Sequence, residues 1–177
     1  MTGQSPDKLQ VYITVRSRQD EEQVVQRIVG DLYRKGDSFF LRYVEPAPEQ
    51  EGVKRRRGSK SETASQQTSD DSTTGTTQVT MKISKDQMKL IRRGHVESEQ
   101  TFDMKQRQTG FYRSPVMRFL MTTETTKLDL GAAWPFEGPL QFEQLELEWA
   151  YRLYIEDQCT GQFDLLLRLR PHTQQSE

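Results

Sequence analysis

The 177-residue chain has a single cysteine, Cys159, only two histidines, and no apolar run approaching 18 residues. One cysteine excludes an intramolecular disulfide framework and suits a reducing compartment. The missing apolar run excludes a membrane-spanning helix, and Met1–Lys8 carry no apolar signal core. Charge of one sign is also lacking: 25 Lys and Arg stand against 26 Asp and Glu, a net charge of −1. That balance provides no bulk field for nucleic acid or an anionic membrane. The expectation is a soluble cytoplasmic protein with no membrane partner.

Catalytic signatures are missing too. No Gly-x-Ser-x-Gly, phosphate-binding glycine loop, Cys-x-x-Cys or His-Glu-x-x-His occurs. Two histidines and one cysteine cannot assemble a soft-ligand metal site without distant carboxylates. His95 reads as a plain turn residue and His172 as part of a polar tail. Cys159 is placed in a turn at Asp157–Gly161, with nothing basic enough nearby to activate its thiol. No catalytic residue, metal or cofactor is expected, and the chain reads as a non-enzyme.

Apolar residues make up only 33% of the chain, and the shortfall is local. Between Pro46 and Gln78 only Ala47, Val53 and Ala64 are apolar, and no aromatic occurs. Rich in Ser, Thr and Gln, the stretch cannot offset its ordering entropy by burial, so it predicts a disordered insertion. Loop closure grows only logarithmically in cost, so one hairpin can carry it. Within it, Lys54, Arg55, Arg56 and Arg57 form a basic cluster able to touch RNA or an acidic partner. The cluster lacks interleaved aromatics for base stacking, and the solvated charge run is the preferred reading.

Elsewhere, period-two alternation dominates. Leu9, Val11, Ile13 and Val15 share one face, and so do Phe39, Leu41 and Tyr43. Val79–Met81–Ile83, Met117–Phe119–Met121 and Phe163–Leu165–Leu167–Leu169 repeat the pattern. Leu145 to Ile155 alternate through the longest run; Leu140 and Phe142 fall out of phase with it, which predicts a bulge near Glu143-Gln144. Turns are expected at Lys35-Gly36-Asp37, Arg93-Gly94-His95, Ser114-Pro115 and Thr160-Gly161. Many strands at short spacing predict an antiparallel meander. One segment is ambiguous: Val24, Val25, Ile28, Val29, Leu32 and Tyr33 have helical spacing with Asp20 as a cap, while Gly30 and the β-branched residues argue against a helix.

Three stretches carry a resemblance: Asp31–Tyr43, Ile91–Gly94 with Gln100-Thr101-Phe102, and Thr109–Pro115 running into Phe119–Leu128. Together they resemble the YwiB-like family of bacterial proteins of unknown function. The resemblance implies an all-β fold: a single antiparallel meander β-barrel, calycin/lipocalin-like, of about 8–10 strands. It implies a strand rather than a helix at residues 22–34, and a strand resuming at Thr76-Thr77. It also implies that residues 46–75 elaborate a normally shorter connection. Family members often continue Pro-Tyr-Gly where this chain has Pro115-Val116-Met117. The expected organisation is a flexible N-terminus at 1–7, one barrel domain at 8–170 interrupted by the disordered insertion at 46–75, and a flexible tail at 171–177. The family brings a fold and no reaction.

Arginines on strands remain the candidates for recognition. A closed barrel of about eight strands is just wide enough to be filled by side chains or to hold one small ligand. Arg42, Arg92, Arg113, Tyr112 and Gln100 are the candidate ligand-binding residues, because inward guanidinium groups grip an anionic head group bidentately. The competing reading turns these arginines outward into solvated cross-strand pairs, and alternation favours it for Arg42. Arg92 and Arg93 are adjacent, so one of them must face in unless the turn already disrupts the pleat. The leading functional expectation is a binding module for a small amphipathic or anionic molecule. The alternatives are a scaffold acting through the basic insertion and, behind it, an enzyme; the oligomeric state is open.

Overall fold

The structure, a computed structural model, describes residues 8–45 and 75–172. The expectations for 1–7, for the basic cluster and nearly all of the insertion, and for the last residues of the tail lie outside these. The described residues form ten strands and no helix: β1 (Lys8–Gln19), β2 (Glu22–Lys35), β3 (Ser38–Glu45), β4 (Thr77–Ile83), β5 (Gln87–Gly94), β6 (Glu97–Asp103), β7 (Gln108–Arg113), β8 (Arg118–Asp129), β9 (Leu145–Ile155) and β10 (Gln158–Pro171). Each pairs antiparallel with its sequence neighbours, and β10 returns to β1, closing the meander into a barrel.

Alternation determines which residues fill the interior. Val11 and Ile13, Leu41, Val79, Met81 and Ile83, then Leu145 and Leu147, are all buried as the pattern requires. Register aligns the inward side chains of β3 to β6 into rows. Phe39, Ile83, Met88 and Phe102 form one row. Leu41, Met81, Leu90 and Gln100 form the next. The last runs farther, through Tyr43, Val79, Arg92, Ser98, Tyr112 and Phe119. The interior therefore grades from wholly apolar at one end to mixed polar and aromatic at the other.

The apolar end is plugged. Residues 130–144, between β8 and β9, are not strand, and they bury Trp134 and Leu140. Trp134 packs edge-on against Phe39 at 5.1 Å, as does Phe136, and its Nε1 donates to the Glu146 carbonyl at 2.8 Å. Arg34 holds the plug from outside: Nη1 donates to the Pro135 carbonyl at 2.6 Å and Nη2 to the Gly138 carbonyl at 2.5 Å. The bulge expected near Glu143-Gln144 is absent. Leu140 and Phe142 are out of phase because they belong to this plug, where a strand's alternation does not apply.

Other expectations shift as well. The ambiguous segment is strand β2, and Asp20 is a turn residue with φ 54° rather than a helix cap. The β9–β10 turn falls at Glu156-Asp157, both at positive φ; Cys159 is already on β10, and a register shift lies between Cys159 and Gly161. His172 is not loose tail: its N–H donates to the Gln10 carbonyl at 2.8 Å and its ring lies 4.5 Å from that of Tyr12.

Two inward glycines mark seams. At Gly30, a Cβ would come within 2.5 Å of the Arg42 carbonyl and 2.7 Å of Ile13 Cδ1. At Gly110, it would run into the Glu99 carbonyl. Glycine lets a neighbouring backbone cross where any side chain would block it. Beyond Gly30 the β2–β3 ladder stops: pairing runs from Lys35–Ser38 only as far as Asp31–Arg42.

Candidate functional site

The polar end of the interior gathers side chains from strands that are not all neighbours. Arg92 reaches from β5 to Glu45 at the end of β3, with Nε 3.3 Å from Oε2 and Nη2 3.5 Å from Oε1. The two side chains are 28% and 23% exposed, so the pair is shielded yet reachable. Beside Arg92 in the same row, Ser98 is 2% exposed and its Oγ has no hydrogen-bond partner. A buried hydroxyl without a partner costs about 1–3 kcal/mol, a cost that a bound molecule can relieve. Next in the row, Tyr112 stacks on Phe119 with ring centroids 5.0 Å apart.

One row deeper, Gln100 Nε2 donates to Thr123 Oγ1 at 2.9 Å, joining β6 to β8 inside the barrel. Across the interior, Tyr151 stacks on Phe163 at 4.9 Å and lies 4.9 Å from Phe102. Burial raises the Tyr151 phenol, opposed by a hydrogen bond with Gln100 and by the charge of Arg92. Burial also pushes Tyr43 up to about 12, with the Glu45 carboxylate adding to the rise and Arg92 opposing it. Both phenols are therefore neutral donors over the physiological range.

The structure brings together three of the five residues singled out in the sequence: Arg92, Gln100 and Tyr112. The other two face out. Arg42 lies on the outer wall with its guanidinium 5.2 Å from the Tyr33 ring centroid. There it lines a cleft of about 820 Å³ where β2 and β3 part, together with Val29, Asp31 and Val44. Arg113 is bonded to Glu97 on the outer face. It borders a smaller cleft of about 220 Å³ with Arg93, Phe111 and Arg118. Alternation explains both: Arg42 sits between inward Leu41 and Tyr43, and Arg113 follows inward Tyr112. Of the adjacent pair, Arg92 takes the interior.

Sequence reasoning missed Glu45, Ser98, Tyr43 and Tyr151. Tyr43 was legible from its phase with Phe39 and Leu41, and Ser98 from its phase with Gln100 and Phe102. Glu45 and Tyr151 share the inward phase of Tyr43 and of Leu145–Trp149, but no local signal marked their contacts, which are made across the barrel. A deep lipid-sized chamber is also ruled out at the plugged end, where Phe39, Met88, Phe102 and the leucines of β9 and β10 fill the space. Among the described residues, no group of three or more His, Cys, Asp or Glu is placed to hold a metal ion.

Residues 60–167 match the model of a protein family described as a domain of unknown function, DUF1934. The chain belongs to this family. The match leaves β1 to β3 outside, yet the likeness of fold extends over them. The DUF1934 chain is similar to the crystal structure of the ywiB protein from Bacillus subtilis, with a TM-score of 0.68 over 94% of each chain at 15% identity. At that identity the likeness shows the fold alone. No curated protein matches the chain.

Proposed function

We propose that this DUF1934 barrel is a non-enzymatic binding module whose polar interior end takes a small molecule with an anionic or strongly polar head and a short apolar body. One observation carries the reading: the buried, unpartnered Ser98 hydroxyl beside the half-shielded Arg92–Glu45 pair, in the row that also holds Tyr112. Glu45 engages Nε and Nη2 of Arg92, which leaves the Nη1 edge of the guanidinium for an anionic oxygen. The stacked Tyr112 and Phe119 rings suit a short apolar body. With its opposite end plugged, the site takes a ligand from one side only.

The test compares native and denatured masses of the gently purified full chain. An adduct present in the native mass and lost on denaturation is expected, with occupancy falling several-fold in Ser98→Ala at unchanged melting temperature. Decanoate and hexyl phosphate are the probes for thermal shift. A clean native mass together with no shift by either probe overturns the proposal.

A further inference from the structure

The open stretch of β2 has an unused ladder edge whose hydrogen-bond phase can be worked out from the turns. Gln19 faces Glu22 across a two-residue turn, and Lys35 faces Ser38 across another. The residues closing such turns exchange both backbone hydrogen bonds. Glu22, Val24, Gln26 and Ile28 therefore direct N–H and C=O toward β1, and Asp31, Tyr33 and Lys35 direct theirs toward β3. By the same alternation, Gln23, Val25, Arg27 and Val29 direct theirs to the β3 side. Among the described residues, no strand pairs with β2 there, because the β2–β3 ladder ends at Asp31. Gln23, Val25, Arg27 and Val29 thus present donors and acceptors with no ladder partner among the described residues.

Natural edges of this length are guarded by lysine, proline or inward-pointing charge. This one is weakly guarded: Glu22–Gly30 contains no Pro or Lys and carries only Glu22, at its very end, and Arg27. Val24, Val25 and Val29 are 52%, 46% and 45% exposed. The chain's own insertion is poorly matched to cover it. Pro46 and Pro48 follow β3 directly and lack N–H donors, and Ala47, Val53 and Ala64 are the only apolar residues available to meet three valines.

We propose that this edge pairs with the same edge of a second copy of this chain, antiparallel about a two-fold axis at Gln26. That register sets Val25 opposite Arg27 and Gln23 opposite Val29 of the second copy. It employs all four unpaired residues of each copy and opposes no like charges. Centring on Arg27 instead would set two guanidinium groups face to face. The pairing is independent of the ligand reading above.

The experiment measures the mass of the full chain in solution by light scattering across ~5–200 μM, with hydrogen exchange at β2. A dimer mass is expected, with Val25→Pro returning the monomer mass and keeping the β-type circular dichroism. Val25 directs its N–H outward, so proline there removes an intermolecular donor and leaves the β1 ladder intact. Should Val25→Pro not fold, Gln26→Cys in a Cys159→Ser background decides: oxidation yields a covalent dimer only if the two Gln26 positions face each other. A monomer at every concentration overturns the proposal. If the monomer's β2 amides are nevertheless protected, and lose protection on deleting residues 46–74, the chain's own insertion is the occupant. A dimer unaffected by Val25→Pro and not crosslinked at Gln26 overturns it as well.

Discussion

Gln100 donates its side-chain amide to Thr123 Oγ1 at 2.9 Å, tying β6 to β8 beneath β7. Both residues are buried, at 5% and 1% exposure. Because β6 pairs with β7 over only three positions, from Glu97–Arg113 to Glu99–Phe111, this bond spans the seam where the ladder stops. Removing one partner strands the other without water. Gln100→Leu or Thr123→Val alone is expected to cost about 1–3 kcal/mol, and the double variant clearly less than the sum. Urea unfolding of the four proteins of the cycle measures this; strict additivity would show that the bond contributes nothing.

Tyr43 makes stability fall at alkaline pH. Its phenol is raised from 10.0 to about 12 in the folded chain. A raised folded value means that the contribution is fully present below pH 10 and is lost as pH climbs toward 12, when the unfolded chain ionises first. A two-unit difference corresponds to a loss on the order of 3 kcal/mol. Tyr43→Phe should flatten the decline in urea midpoint between pH 9 and 11.5, whatever it does at neutral pH.

Arg34 is expected to control the plug rather than the barrel. Arg34→Ala leaves the Pro135 and Gly138 carbonyls to find water. Early proteolysis within residues 131–144 and red-shifted Trp134 emission should follow, with the strand content unchanged. Trp134→Ala should be the more damaging change, by about 3–5 kcal/mol, since it also empties the space against Phe39.

Gly30 tests the splayed seam. Gly30→Ala puts a methyl group within 2.5 Å of the Arg42 carbonyl, which belongs to backbone and cannot rotate away. A loss of at least ~1–3 kcal/mol in chemical unfolding is expected. A neutral result would mean that β2 and β3 can separate further than the structure shows.

Most of the barrel wall was legible because burial imposes period two on any strand with one dry face. Leu9 to Val15 and Leu145 to Ile155 are examples. The ambiguity at 22–34 has a physical source. The first half of β2 has no buried face, so Val24, Val25 and Val29 are not sorted by burial, and their spacing imitates a helix by accident. The plug was misread for the converse reason: Leu140 is buried without strand geometry, so its phase carried no information. In the site, alternation could orient Arg42 and single out Arg92 or Arg93 as inward. It could not show that Glu45 and Tyr151 approach Arg92, since that depends on the curvature of the closed wall.

The pairing of β1 with β10 joins residues as far apart as Val11 and Pro171, while every other pairing joins consecutive strands. The barrel is therefore a ring of hairpins in which the place of the chain ends is arbitrary. Lys8 and His172 leave the wall from adjacent strands, with the His172 N–H held by the Gln10 carbonyl. A short linker joining them, with new ends cut between Glu45 and Gly75, would keep every strand pairing. In such a circular permutant, the long-range closure between β1 and β10 becomes an ordinary hairpin, and the kinetic barrier to closing the ring moves to β3 and β4.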